Sequence, residues 1–171
     1  MSEHNVRDGR VVILAGSPAD LAHVSQIREA LERFGIPSET RIASAHKSPA
    51  RLLSLVQQWN AEAIPTVFIT VAGRSNALSG MLDAATPFPV IACPPPSEQW
   101  AQIDIWSSLR MPSGVAPAVV LDPANAALCA AKILGLADAP LKVRISEFQR
   151  QNAEKLEAED RKLILDEGRK Q

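Results

Sequence analysis

The tetrapeptide Ser44-Ala45-His46-Lys47 sets a histidine beside a lysine where a strand-like run stops and a helix-like run begins. Histidine is the side chain best matched to moving a proton near neutral pH, with an ordinary pKa of about 6.5, and a lysine beside an anion site can hold a phosphate. Two further segments share this punctuation. Gly16-Ser17-Pro18-Ala19-Asp20 joins a glycine that allows close approach to a serine, proline and acid spaced as a helix start, where free N–H groups favour an anion. The run AGRSNALSG, residues 72–80, offers backbone donors at Gly73, with Ser75 and Asn76 as walls of a small polar pocket. Each also has a structural reading: Ser17 and Asp20 as a helix cap, His46 as a turn residue bonded locally, Ser75 as the cap of the next helix. Of the other histidines, His4 is assigned to a solvated tail and His23 to the polar side of its helix.

The elements that must position these segments are legible as alternating strand and helix patterns. VVILA (11–15) reads as a short buried strand, and Leu21, Val24, Ile27, Leu31 and Phe34 then fall on one helical face until Gly35 ends it. ETRIA (39–43) leads into a helix opening at Ser48 and Pro49, with Leu52, Leu55, Val56 and Trp59 inward. TVFITVA (66–72), PVIAC (89–93) and VAPAVVL (115–121) supply further strands, with helices after the first and, from Asp122 and Pro123, after the last. CPPPSEQW and DIWSSLRMPSG read as irregular, with Trp100 and Trp106 in core or interface packing. Repeated strand and helix with short links predicts a parallel sheet wrapped on both faces. In such sheets ligands sit beyond the carboxyl ends of the strands, near the point where strand order reverses. All three polar segments follow strands.

Composition narrows the function classes. The chain has 171 residues, 46% hydrophobic and 22% charged, enough for one cored domain, and a formal net charge of −1 with interspersed signs. That balance argues against nucleic acid and anionic membranes and for a small-molecule substrate. Cys93 and Cys129 lie in apolar settings without a second ligand at metal spacing, so both are read as reduced core residues, with no metal and no disulfide. The polar start carries no signal-peptide pattern and no run is long enough to span a bilayer, which makes a cytoplasmic location the expectation. Residues 1–10 are read as a loose tail, 11–139 as the catalytic α/β domain and 140–171 as a charged C-terminal helix packing on a neighbouring subunit. Ala124, Ala126, Ala127, Ala130 and Ala131 give the helix before it small side chains that suit a neighbour on each side.

Taken in order, GSPAD, SAHK, AGRSNALSG, CPPPSEQW, DIWSSLRMPSG and DPANAALCAAKILG closely resemble the phosphoribosylaminoimidazole carboxylase family of purine biosynthesis, over residues 11–136. The resemblance implies an α/β, flavodoxin-like three-layer sandwich with a parallel sheet plus a C-terminal helix, assembled as a homo-oligomer, an octamer or a tetramer. It also implies a branch. The mutase branch, which takes its carboxyl group from carboxyaminoimidazole ribonucleotide, reads Ala-Gly-Gly-Ala-Ala-His-Leu-Pro-Gly after the third strand and Ser-Ala-His-Arg upstream. Here Ala77 stands at the second histidine and Lys47 at the arginine. Both departures resemble the branch that carboxylates aminoimidazole ribonucleotide directly with carbon dioxide.

That reaction fits the residue set. Aminoimidazole ribonucleotide is an electron-rich enamine whose ring carbon attacks carbon dioxide without ATP, biotin or metal, so no cofactor is expected. A base must then remove the proton from that carbon. His46 is the candidate. Through the resemblance, Ser17, Asp20, Ser44, Lys47, Gly73 and Ser75 correspond to substrate contacts. Ser17, the first helix's N–H groups and Lys47 suit the phosphate, and Asp20 suits ribose hydroxyls. Ser44, Gly73 and Ser75 suit the base and a dry niche for carbon dioxide. The alternatives are the mutase, or a phosphonucleoside-binding module without catalysis, which would not need His46.

Overall fold

The computed structural model describes residues 9–96 and 101–168; the tail with His4 and the stretch with Trp100 lie outside the described residues. Five parallel strands form one sheet in the order β2-β1-β3-β4-β5: β1 Arg10–Ala15, β2 Ser38–Ile42, β3 Thr66–Val71, β4 Val90–Ala92 and β5 Ala118–Val119. Six α-helices accompany them among the described residues: α1 Leu21–Arg33, α2 Pro49–Asn60, α3 Ala77–Asp83, α4 Ala101–Leu109, α5 Pro123–Leu134 and α6 Ala139–Gly168. None is long and apolar enough to cross a membrane. This is the flavodoxin-like three-layer order, with strand order reversing at β1 and β3.

Burial explains the layers. β1 is apolar from Val11 onward and β3 is apolar but for the buried Thr66 and Thr70, because both faces of these strands are covered. Val11, Ile13, Ala15, Val67 and Ile69 face α1 and α5, while Val12, Leu14, Phe68 and Val90 face α2 and α3. On the second side Phe68 packs between Trp59 and Phe88, with ring centroids at 5.5 and 6.3 Å. α1 ends where Gly35 takes φ 66°, letting its N–H reach the Glu32 carbonyl at 3.0 Å and the Ile36 N–H reach Leu31 at 3.2 Å. That paired closure needs a left-handed residue, and glycine supplies it without strain.

Several expectations are corrected. Leu21, expected on the inner face of α1, is exposed at its first position. β5 is two residues long rather than spanning 115–121, because Pro117 has no N–H for the ladder. Part of the stretch read as irregular, Ala101–Leu109, forms α4, whose flanking prolines masked a short helix. Trp106 is 60% exposed and so is not a core residue of this chain.

The alanines of α5 were expected to invite a neighbouring subunit on each side. Ala126, Ala127, Ala130 and Ala131 are instead fully buried in their own core, where small side chains let the helix lie close to both the sheet and α1. α6 divides its apolar residues. Leu141 and Ile145 are buried and Phe148 packs edge-on against Phe34 at 5.3 Å, whereas Val143, Leu156, Leu163 and Ile164 are exposed.

Candidate active site at the strand-order reversal

At the carboxyl ends of β1, β2 and β3 lies a cleft of about 630 Å³ whose walls include Ser17, Asp20, Ser44, His46, Lys47, Gly73 and Ser75. All seven residues singled out from the sequence therefore meet in one place. Each wall is a turn closed by its own hydrogen bonds. After β1, the Ser17 N–H donates to the Asp20 carboxylate at 2.9 Å and the Ala19 N–H donates to Ser17 Oγ at 3.2 Å, closing the single 3-10 turn Pro18–Asp20. The amides expected to receive an anion are thus engaged internally. What remains available is the Ser17 hydroxyl proton and the second oxygen of Asp20.

The turn after β2 is folded around Ser44. The Ser48 N–H donates to the Ser44 carbonyl at 2.9 Å, the Lys47 N–H donates to Ser44 Oγ at 3.2 Å, and the Ser44 N–H donates to Ser48 Oγ at 3.1 Å. Ser48 was expected to cap α2, but its hydroxyl serves this turn and not the helix amides. Ala45 is buried as an anchor, leaving His46 and Lys47 exposed on the cleft side. Among the described residues no hydrogen bond holds the His46 ring.

In the wall after β3, Gly73 lies so close to the proline stretch that a Cβ would come within 3.2 Å of Pro95 Cγ. Ser75 is not the cap of α3; Asn76 is, accepting from the Ser79 N–H at 3.3 Å, while Ser75 takes φ 43°. The cleft also includes Arg74, Pro95 and Pro96, which the sequence alone did not assign. Among the described residues, Lys47 and Arg74 against the carboxylate of Asp20 leave the lining net positive, a balance that suits an anion.

His23 is corrected from surface to interior. It is only 8% exposed, and its Nε2 lies 3.3 Å from Cys93 Sγ, whose thiol in turn reaches the Leu121 carbonyl at 3.6 Å. Burial lowers the His23 pKa below its ordinary 6.5 against the upward pull of Asp20 and Asp122. Burial, helped by Asp122, pushes the Cys93 thiol up to about 12. The pair is neutral and braces α1 against the end of β4. Cys129 is free and half-buried.

Fold and cleft together define an α/β domain with a polar cleft at its switch point, lined by a histidine and two cations among the described residues. The family model for AIR carboxylase matches residues 10–155. The chain is 46% identical over 153 residues to a phosphoribosylaminoimidazole carboxylase of Treponema denticola, covering 90% of this chain and 96% of that protein. A phosphoribosylaminoimidazole carboxylase of Archaeoglobus fulgidus is 46% identical over 154 residues, covering 90% of this chain and 84% of that one. The mouse bifunctional phosphoribosylaminoimidazole carboxylase/phosphoribosylaminoimidazole succinocarboxamide synthetase is 48% identical over 127 residues, covering 74% of this chain and 30% of the mouse protein. The crystal structure of Treponema denticola PurE superposes with a TM-score of 0.89 at 46% identity, covering 91% of this chain and 98% of that one. The chain belongs to the AIR carboxylase family.

The buried state of His23 sets a pH dependence. Because its folded pKa lies below the unfolded value, the unfolded chain binds the proton more readily, and stability falls as pH drops below 6.5. Urea denaturation between about pH 7.5 and 5.5 is expected to show a steeper loss in the parent than in His23→Gln. Equal slopes would mean that the ring is not held neutral.

Proposed function

We propose that this chain carboxylates 5-aminoimidazole ribonucleotide with carbon dioxide, giving 4-carboxy-5-aminoimidazole ribonucleotide reversibly and without ATP. The observation that carries this reading is the meeting of His46, Lys47, Asp20 and three serines in one net-positive cleft at the β1–β3 reversal. The identities near one-half with proteins named phosphoribosylaminoimidazole carboxylase support it.

The roles follow from what each group has left to offer. Lys47 neutralises the phosphate, and the Ser17 hydroxyl donates to it. Asp20, whose Oδ2 is committed to the Ser17 N–H, accepts from ribose hydroxyls through its other oxygen. Ser44, Gly73 and Ser75 shape the niche for the base and for carbon dioxide, a weak ligand that gains from pre-formed walls. The ring carbon attacks carbon dioxide and forms the new C–C bond, leaving a tetrahedral carbon that still carries its hydrogen. Neutral His46 takes that proton, the C–H electron pair restores aromaticity, and the same imidazolium returns the proton in the reverse direction. Direct use of carbon dioxide is favoured over the mutase because Ala77 and Lys47 stand where the mutase pattern has histidine and arginine.

Residues 11–139 are read as the catalytic unit of a homo-oligomer, with the outer part of α6 lying on a neighbouring subunit. The exposed Leu156, Leu163 and Ile164 support this; the α5 alanines, buried at home, do not.

Three measurements test these readings. Purified chain given aminoimidazole ribonucleotide and bicarbonate, without ATP, should form the carboxylated product, and carboxyaminoimidazole ribonucleotide should be the poorer substrate; a preference for that carbamate overturns the branch. His46→Asn should retain the fold and nucleotide binding while lowering the rate by about two or more decades, the scale of general acid–base catalysis. Near-parental turnover would remove His46 from the mechanism. Light scattering should find an oligomer that dissociates or shrinks when residues 151–171 are removed, a cut that leaves Leu141, Ile145 and Phe148 on their own core. A monomeric full-length chain would sink the assembly.

A further inference from the structure

The Gly73–Ser75 edge of the cleft is held in a conformation that its own sequence does not favour. Ser75 has φ 43°, in the left-handed region where a residue with a Cβ is strained, and such a residue persists only where its surroundings over-determine it. The surroundings are supplied by the next residue. Asn76 is 4% exposed, and its Nδ2 donates to Ser108 Oγ at 2.8 Å while its Oδ1 accepts from the Ser79 N–H at 3.3 Å. Its own N–H donates to Ser107 Oγ at 2.9 Å. Ser108 is itself only 2% exposed, so the Asn76 amide is locked between the first turn of α3 and the last turn of α4. Neither Asn76 nor Ser108 lines the cleft, whereas Gly73, Arg74 and Ser75 all do.

We propose that Asn76 is a positioning residue for carboxylation: its clamp on Ser108 and Ser79 keeps Ser75 left-handed and so aims the Gly73–Ser75 edge at the bound base and carbon dioxide. This rests on the carboxylase reading above. A buried amide with both ends satisfied has one low-energy orientation, because any rotation strands a donor or acceptor away from water. The backbone one residue upstream inherits that fixity. Lys47, Ser17 and Asp20 stand on the turns after β1 and β2, which the clamp does not touch. Losing the clamp therefore disturbs the carbon dioxide niche more than the grip on the nucleotide.

The test is steady-state kinetics of the full chain as parent, Asn76→Ala, Ser108→Ala and the double variant, varying nucleotide and bicarbonate separately, with thermal melting of each. Asn76→Ala is expected to lower kcat about tenfold or raise the carbon dioxide requirement by as much, while the KM for nucleotide changes within about threefold. Ser108→Ala should show a smaller defect of the same kind, and the double variant should be no worse than Asn76→Ala alone. Should Asn76→Ala fail to fold, Ser108→Ala, which removes only the outer partner, carries the same split. A loss of kcat that tracks the unfolded fraction, with both substrate dependences unchanged, overturns the role. Parental kinetics in folded variants overturn it too. An inactive parent overturns the carboxylase reading and this role with it, so the two failures are distinguishable.

Discussion

The pairing of β1 with β3 is the constraint on which the site depends. Six residues of each strand are in register, Arg10 opposite Thr66 through Ala15 opposite Val71, and the Gly16 N–H extends the ladder to the Val71 carbonyl at 2.8 Å. Two adjacent parallel strands that both pair along their whole length must end together. Their following helices pack on opposite faces of the sheet, α1 on one and α3 on the other, so the two chains part at the strand ends and leave a cleft between them. β2 pairs on the far side of β1, with Ile42 opposite Ala15, which brings Ser44 to Lys47 onto the same rim. No side chain of the cleft chooses this location. The sheet does, and its apolar faces choose the sheet.

Given that location, the polar residues around the cleft separate into those spent on shape and those left for chemistry. Ser48, the Ser17 N–H and Asn76 have their hydrogen bonds committed to closing turns. An exposed loop with uncommitted backbone would order itself only on binding, at a cost in conformational entropy. Here the ordering is done at folding. Among the described residues, what then projects into the cleft is short: one imidazole, two cations, one carboxylate oxygen and a few hydroxyl protons. The proposed reaction, in which an already nucleophilic ring meets carbon dioxide, asks for little more, because the protein must hold partners together and move one proton rather than activate either of them.

The reading from sequence succeeded where a local pattern had one physical meaning. Strand runs buried on both faces, a glycine after the last apolar position of α1, and Pro18 after the capping Ser17 all report on their own neighbourhoods. The candidate site was legible for the same reason: its segments follow strands, and strand ends in a parallel sheet share one rim. It failed where meaning came from far along the chain. His23 looks solvated in its helix, and only the approach of Cys93, seventy residues on, makes its position interior. Asn76 and Ser75 are adjacent polar residues, either of which could cap α3. The choice falls to Asn76 because Ser107 and Ser108 stand opposite, on a helix that its short length and flanking prolines concealed. The small residues of α5 carry two meanings, close packing at home or against a neighbour, and local periodicity cannot separate them.

α6 shows the same ambiguity resolved within one element. Its first turns are a core helix: Leu141 and Ile145 enter the cluster under α1 and α5, and the Arg144 Nε donates to the Phe34 carbonyl at 2.9 Å. Beyond Phe148 the chain continues as helix with almost every side chain exposed. Ion pairs one turn apart, Arg150 with Glu147 and Glu154, Arg161 with Glu157 and Lys162 with Glu159, line that part. Each such exposed pair contributes little, because water and salt screen both charges. The charges keep the segment helical and soluble; they do not account for Leu156, Leu163 and Ile164 standing in water. Covering apolar surface is worth about 25 cal/mol for each Å² removed from water, so burying those three side chains would be the larger effect. The proposed assembly would supply a second apolar surface along the outer half of α6, and the charged flanks would restrict that surface to one that meets them with complementary charge or leaves them in solvent.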